Sequence, residues 1–268
     1  MDLNYTLSDL TSFHVLCIPL EISAERYEYY YNILIHKLEV IPYELITFYK
    51  NSPRWILKDI TENSFQTGSL RLKFHQDSRT STSSHLQLFK RFSIILGITE
   101  NPANAIGVYE SLTKIVSEID RNILTKLFCF ESNEQSIRVE KTNQDFIPFP
   151  SYPEPERLIN NIEIVVVDII SLLLDELGRY LKTISSFEYQ ITTSWESDIN
   201  KVCKRREGRK LKILGDVCLL LNCLDKASNY LSEALSTQNK NGDYLWAGAT
   251  SESLAAFFHL RGLVVRAM

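Results

Sequence analysis

Glycine and proline are scarce in this chain: nine glycines and eight prolines among 268 residues are about half of their ordinary combined share. Glycine supplies the backbone conformations that phosphate-binding loops need, so this scarcity disfavours a nucleotide-binding enzyme. The signatures G-x-x-x-x-G-K-[ST] and G-x-G-x-x-G are also absent. Pro19 and Glu21 occupy the turn after the first predicted strand, where backbone amides would have to meet a pyrophosphate.

Signatures of other catalytic and metal-binding sites are missing too. The chain has no H-E-x-x-H zinc motif and no G-x-S-x-G nucleophile elbow. Its five histidines are isolated, and isolated histidines are more often structural or solvated than catalytic. We therefore expect no catalytic residue, no cofactor, no metal ion and no small-molecule substrate. The histidines are His14, His36, His75, His85 and His259.

Neither charge sign predominates, and no segment is apolar enough to cross a membrane. The 29 basic and 33 acidic side chains give a net charge of −4, which gives nucleic acid or an anionic membrane no strong attraction. The most hydrophobic stretch, 162–177, contains four acidic residues, whereas a bilayer span needs about 20 largely apolar residues. The N-terminus lacks a secretory signal, and the five cysteines are scattered. These features predict a cytoplasmic protein.

Residues 1–145 contain several strand patterns. Short apolar runs at 13–20 and 92–99 are typical of strands that are covered on both faces. Ser69–His75 alternates between apolar and polar residues, which indicates a strand with one exposed face. Weaker strand patterns occupy 43–49 and 125–130.

Helical patterns alternate with these strands. Ser23 is a suitable N-cap for a helix that runs to about residue 40, and an apolar stripe at helical spacing spans 103–122. The polar stretch 76–85 is typical of an exposed loop. Alternating strands and helices predict an N-terminal α/β layer domain with a mixed sheet, which we place at residues 1–145.

The character of the sequence changes at residues 146–155, which contain four prolines. So many prolines predict a linker without regular structure. Beyond it only helical patterns remain. A long helix should run from about 156 to 190, and Pro155 suits its start because the N–H that proline lacks would be unpaired there anyway. Further helices follow from about residue 197, so we expect residues 156–268 to form an all-α domain.

Small and large apolar residues are spaced in this helical part as in a tetratricopeptide repeat, a two-helix hairpin with a period of 34 residues. Leu214 and Gly215 fit the first helix, and Ala227, Leu231 and Ala234 fit the second. Small residues let two helices approach closely, while the leucines fill the seam between them. The sequence therefore predicts a tetratricopeptide-like hairpin of an α-solenoid, and a further helix over 244–260 would open the next hairpin.

A basic cluster precedes the apolar face of this hairpin. It consists of Lys204, Arg205, Arg206, Arg209 and Lys210, and Glu207 is the acidic residue among them. The cluster is typical of a solvated helix face, but it would also suit an acidic partner protein or anionic lipid headgroups. No aromatic residues are interleaved with it, so nucleic-acid bases would find no stacking platform.

The segments GRKLKILGDVCLLLNCLDKASNYLSEAL and GDYLWAGATSES lie within residues 208–253, which we call the motif block. The motif block resembles the large TRAPP II subunits of the NIK- and IKK-binding protein family, where TRAPP is the transport protein particle, a membrane-tethering complex. Asn222 and Ser253 stand where that family usually has glycine. The matching residues are Gly208, Arg209, Lys212, Gly215, Asp216, Leu220, Leu221, Ala227, Leu235, Asp243, Leu245, Trp246 and Glu252.

This resemblance implies a non-catalytic scaffold subunit that helps TRAPP II to activate a Rab-type GTPase. It implies other TRAPP subunits as partners, the GTPase as an indirect partner, and a location peripheral to trans-Golgi or early-endosome membranes. Because family members are much longer, the chain is expected to be an N-terminal piece whose solenoid is incomplete at its C-terminus. Two other functions remain open from the residues alone: an α/β enzyme with a helical appendage, or a standalone tetratricopeptide-like adaptor.

Overall fold

The computed structural model contains a six-stranded sheet and describes residues 11–46, 69–76, 92–100, 105–119, 123–132, 145–185 and 199–267. The strands are β1 (Phe13–Pro19), β2 (Val40–Pro42), β3 (Ser69–His75), β4 (Phe92–Glu100), β5 (Leu124–Phe130) and β6 (Phe146–Phe149). Their order across the sheet is β2-β3-β1-β4-β5-β6, and each neighbouring pair is parallel except β2 and β3. The predicted α/β architecture with a mixed sheet is therefore confirmed.

Helices cover both faces of this sheet. α1 (Ala24–Leu38) and α3 (Pro155–Ser185) pack on one face, and α2 (Ala105–Ile119) packs on the other. Successive residues of the central strand β1 divide between the two layers, so that Val15 contacts the core on the α1 side and Leu16 the core on the α2 side. Because both faces are buried, β1 and β4 are apolar along most of their length, as predicted for parallel strands.

Helix α1 is held on the sheet by tyrosines. Ser23 caps the helix, as predicted, by accepting a 3.3 Å hydrogen bond from an amide of the first turn. The Tyr27 hydroxyl donates to the Cys17 carbonyl at 3.0 Å, and the Tyr31 hydroxyl donates to the Phe74 carbonyl at 3.2 Å. Burial raises the pKa of Tyr31 to about 12, since the phenolate would lose its hydration there.

Strand β3 has the predicted alternation. Leu70 and Phe74 are buried, whereas Arg71 is exposed on the opposite face. His75 on this second face is half-buried, because its ring stacks on the buried His14 of β1, with ring nitrogens 2.7 Å apart. The face predicted to be exposed is therefore partly covered by a contact between neighbouring strands.

The prediction that residues 146–155 lack regular structure is wrong for the first four of them. Phe146–Phe149 form β6, which pairs in parallel with β5 at the edge of the sheet. An edge strand tolerates proline because one side of its backbone has no neighbour that needs an N–H donor. Pro148 therefore fits within β6, and Phe146 and Phe149 are buried on either side of it.

Three further predictions concern a strand, a loop and a helix of the α/β part. Residues Tyr43–Leu45 form a short 3-10 helix, so the predicted strand at 43–49 is wrong there, and its last three residues lie outside the described ranges. The loop predicted at 76–85 is described only at its first residue. The predicted helix at 103–122 is confirmed as α2 within the described residues.

The C-terminal part of the chain is helical and packs directly on the α/β part. After α3, whose first residue is Pro155 as predicted, come α4 (Ile199–Leu220), α5 (Leu224–Lys240) and α6 (Tyr244–Ala267). Buried apolar residues form one continuous core from β1 and α1 through α3 to α6. The domain limits at 145 and 156 stay a prediction, which unfolding measurements can test.

Candidate functional site

The motif block lies on three antiparallel helices, α4, α5 and α6. Three residues connect α4 to α5, and three connect α5 to α6. Connections this short force successive helices to pack side by side in opposite directions. Residues far apart in the motif block are thereby brought together between the helices.

An ion pair closed to solvent joins α4 to the start of α6. Arg209 Nε donates to Asp243 Oδ2 at 2.7 Å, and Arg209 Nη2 donates to Asp243 Oδ1 at 3.1 Å. Arg209 is 1% exposed, and its guanidinium carbon lies 5.2 Å from the centre of the Trp246 ring. Two parallel hydrogen bonds and an aromatic face satisfy a cation that burial would otherwise strongly destabilise.

A second buried ion pair lies along α4 and reaches α6. Lys212 Nζ donates to Asp216 Oδ2 one helical turn later, and both side chains are almost completely buried. The Ser253 hydroxyl donates to Asp216 Oδ1 at 2.7 Å, which links this pair to α6. The carboxylate thus accepts from both helices.

A buried amide completes the network and includes α5. Gln238 Nε2 donates to the Gly208 carbonyl at 2.9 Å, and the Thr250 hydroxyl donates to Gln238 Oε1 at 2.7 Å. Sequence analysis missed Gln238 and Thr250, because isolated polar residues in a helix ordinarily face solvent. Together with the two ion pairs, this amide ties all three helices through polar contacts.

Two glycines of the motif block lie where helices touch. A Cβ atom at Gly215 would lie 2.6 Å from both Cγ and Cδ2 of Leu231, and one at Gly208 would lie 2.9 Å from Gln238 Cγ. Real side chains do not approach this closely, so α5 would have to move away from α4 if either position carried a larger residue.

The remaining motif residues differ in burial. Ala227, Leu231 and Ala234 are fully buried on α5, whereas Leu214 and Glu252 are only partly buried. Leu245, which also matches the family, is 48% exposed in the first turn of α6 and is not part of the helix packing.

The structure also divides the predicted basic cluster. Arg209 cannot contact a partner, because it is buried and paired with Asp243, so its assignment to a binding surface is wrong. Lys204 is exposed, and Arg205, Arg206 and Lys210 are half-buried. No local pattern indicates this division, since the carboxylate that binds Arg209 lies 34 residues further along the chain.

This buried network holds α4, α5 and α6 together. Within the described ranges, no three His, Cys, Asp or Glu side chains are arranged to hold a metal ion. None of the helices in those ranges combines the length and the hydrophobicity needed to cross a bilayer.

Comparison with known proteins identifies the family. Residues 11–202 match the family model described as Trs120/TRAPPC9, N-terminal domain. The chain belongs to the Trs120/TRAPPC9 family. This confirms the resemblance drawn from the motif block to the large TRAPP II subunits, although the matched range ends just before that block.

Two curated relatives of this family carry the same printed name, trafficking protein particle complex II-specific subunit 120 homolog. The one from Arabidopsis thaliana is 22% identical over 269 residues and covers 96% of this chain, a share that includes the motif block. The one from Oryza sativa subsp. japonica is 26% identical over 200 residues and covers 70% of this chain. The chain spans 22% and 17%, respectively, of the length of these relatives.

The two departures from the usual family pattern now have structural explanations. Asn222, in the turn between α4 and α5, has a φ of 53°, a left-handed conformation that glycine adopts freely and asparagine tolerates better than most residues. Ser253 is fully buried and uses its hydroxyl to bind Asp216. Asn222 thus suits the left-handed turn of this chain, and Ser253 contributes a hydrogen bond to the network.

Proposed function

We propose that this chain is the N-terminal part of a non-catalytic scaffold subunit of a TRAPP II vesicle-tethering complex. The support is its membership of the Trs120/TRAPPC9 family and the TRAPP II-specific names of both relatives. In this proposal its direct partners are other TRAPP subunits. It acts in the cytoplasm at trans-Golgi or early-endosome membranes, where the assembled complex activates a Rab-type GTPase through other subunits.

We further propose that α4 to α6 begin a tetratricopeptide-like α-solenoid. Three antiparallel helices with short connections suit such an array, as does the close approach of α5 to α4 at Gly215. The Arg209–Asp243 pair joins positions 34 residues apart, which equals the period of that repeat. Each repeat of a solenoid contacts its neighbours, so a rigid first hairpin would set the direction of those that follow.

The observation that carries the scaffold role is the pairing of buried charges between helices. Replacing buried ion pairs by apolar residues of similar size is often neutral or stabilising, so such pairs contribute little to net stability. They do penalise every arrangement in which either charge loses its partner. Arg209 with Asp243, and Asp216 with the Ser253 hydroxyl, therefore fix one arrangement of α4 and α6, which suits an assembly surface.

Affinity purification from cells tests this proposal. The protein would carry a tag and either Gly215→Leu or Trp246→Ala, both of which disturb the packing of α4 to α6. We expect each variant to lose its co-purifying TRAPP subunits, while nucleotide exchange by the core complex persists. Trp246→Phe is the matched control, because the indole nitrogen has no hydrogen-bond partner among the described residues and phenylalanine keeps an aromatic ring.

A surface variant separates assembly from folding. Lys204→Glu combined with Lys210→Glu reverses two charges of the basic cluster and should leave the buried network intact. We expect it to keep its circular dichroism spectrum and thermal stability but to retain fewer TRAPP subunits, if the basic cluster meets an acidic partner. If Trp246→Ala and Gly215→Leu remain folded and co-purify at wild-type levels, the assembly role of this region is wrong.

A further inference from the structure

A groove opens at the carboxyl edge of the sheet, between α1, the ends of β5 and β6, and the start of α3. Its volume is about 180 Å³, and its lining includes Arg26, Tyr29, Tyr30, Glu131, Pro150 and Tyr152. Doubly wound sheets bind their ligands at this edge, because the connections to helices on opposite faces diverge there. None of these residues belongs to the motif block or contacts its network.

The cation that lines the groove, Arg26, is paired with two carboxylates, of which Glu131 also lines the groove. Arg26 Nε donates to Glu100 Oε1 at 2.6 Å, and Arg26 Nη2 pairs with Glu131. The Tyr30 hydroxyl also donates to Glu100, at 3.3 Å. Two carboxylates thus face one guanidinium, and the three groups together have a net charge of −1. The hydrogen bond that Arg26 donates to Glu100 raises the pKa of Arg26, so Arg26 stays charged. An incoming anion would meet a cation that is already neutralised.

The walls of the groove are aromatic and firmly supported. The Tyr30 ring stacks on Phe130 with centroids 3.8 Å apart, and Phe130 stacks on Phe149 of β6 at 5.0 Å. The Tyr152 hydroxyl accepts a 2.6 Å hydrogen bond from Asn161 Nδ2 of α3. Tyr29 is 44% exposed at the rim. Supported rings of this kind attract cations through their faces and need little reordering on binding.

The volume of the groove and the backbone conformation of Glu131 indicate which class of ligand fits. Pockets for drug-sized molecules have volumes of roughly 300–1,000 Å³, so about 180 Å³ suits a single side chain better than a nucleotide or an organic cofactor. Glu131 has a φ of 50°, a left-handed conformation that costs a non-glycine residue about 1–2 kcal/mol. The chain therefore holds this carboxylate at the groove in spite of strain.

We propose that the groove binds one basic side chain, arginine or lysine, presented by an extended segment of a partner protein. Glu131 accepts the incoming N–H groups, since a carboxylate has about four acceptor positions and Arg26 uses only some of them. The face of Tyr29 covers the cation, and the prolines after β6 border the partner backbone. This site goes beyond the scaffold role and does not depend on the motif block.

Titration with capped peptides tests the site directly. The peptides are acetyl-Gly-Arg-Gly-amide and its Lys, Glu and Leu counterparts. Each is added to the 268-residue chain, and binding is followed by NMR from labels on the tyrosine rings. We expect saturable binding of the Arg and Lys peptides at millimolar concentration, about tenfold tighter than that of the Glu and Leu peptides. Added salt should weaken this binding, because the charges lie near the surface.

Matched variants assign the effect to the groove. Glu131→Gln should weaken Arg-peptide binding at least about fivefold, and Tyr29→Ala should weaken it while Tyr29→Phe, which keeps the ring, restores it. Glu176→Gln is the control, because Glu176 is an exposed carboxylate paired with Arg179 near the far end of α3. Equal binding of all four peptides, preference for the Glu peptide, or binding unchanged by Glu131→Gln would each overturn the proposal. Since no TRAPP partner takes part, the result is independent of the assembly test.

Discussion

The Tyr43 hydroxyl donates a 2.6 Å hydrogen bond to the carbonyl of Leu221, 178 residues further along the chain. Tyr43 begins the short 3-10 helix after β2, and Leu221 lies in the turn between α4 and α5. Both groups are buried, so the loss of either removes a buried hydrogen bond between distant parts of the chain. This bond therefore fixes the α4–α5 hairpin on the α/β part of the chain.

Removal of this hydroxyl should weaken the chain measurably. Tyr43→Phe leaves the buried Leu221 carbonyl with only the weak thiol donor of Cys223, 3.2 Å away, and we expect the free energy of unfolding to fall by about 0.5–1.5 kcal/mol. Urea denaturation followed by circular dichroism measures the change. Tyr244→Phe removes the same group from a ring that is 75% exposed, and it should change the stability by less than about 0.5 kcal/mol. Equal effects of the two variants would contradict the role given to the Tyr43 hydrogen bond.

Alkaline pH should destabilise the folded chain. Burial raises the pKa of Tyr27, Tyr30 and Tyr43 above the usual value of 10.0. Above pH 10 the unfolded chain releases these protons while the folded chain keeps them, so the free energy of unfolding falls as pH rises. Below about pH 9 these groups should have no effect. Urea midpoints measured from pH 8 to 11 test this, and Tyr43→Phe should show a shallower decline because it has one such group fewer.

Two glycines should respond oppositely to the same substitution. At Gly215 a Cβ would collide with Leu231, so Gly215→Ala should lower the free energy of unfolding by about 1–3 kcal/mol. At Gly248, within α6, a Cβ would meet no atom within 4 Å. Gly248→Ala should therefore raise the stability by about 0.5–1 kcal/mol through better helix propensity. Thermal melts of both variants measure these opposite changes in stability. Destabilisation by Gly248→Ala would contradict the prediction and show that this face of α6 is covered.

The buried ion pair should be costly to break from one side. Asp243→Asn leaves Arg209 as a buried charge without its carboxylate, and we expect a loss of about 3–5 kcal/mol. Glu176→Gln breaks the exposed pair with Arg179 and should cost at most about 1 kcal/mol. Chemical denaturation of both variants, followed by a double-mutant cycle with Arg209→Met, measures the coupling. A coupling energy near zero would mean that the two side chains do not act as a pair.

Local patterns were enough to predict most of the sheet and its first helix. The apolar runs of β1 and β4 and the alternation of β3 follow directly from which faces are buried. β6 was missed because Pro148 usually signals a break, and its place at the edge of the sheet depends on strand order, which no local pattern contains. The turn at Tyr43 was missed for a similar reason, since its ring is held by a carbonyl far along the chain.

In the candidate site, too, only the residues that belong to a local pattern could be predicted. Gly215 and Ala227 were found because a repeat pattern fixes their spacing, and spacing is visible in a sequence. The true environment of Arg209 was not visible, because the sequence does not show which of many acidic residues will meet a given cation. Gln238 was missed for lack of any local signal, since its burial follows from the way in which α4 and α6 enclose α5.

The central place of β1 also bears on how the chain folds during synthesis. β1 leaves the ribosome before its neighbours β3 and β4, which end about 60 and 80 residues later. At about 5–20 residues per second, this apolar strand waits several seconds before both partners exist. A nascent chain in that interval exposes unpaired backbone and the apolar side chains of FHVLCIP. Chaperone binding to β1 should therefore be strongest early in translation and end once β4 has emerged.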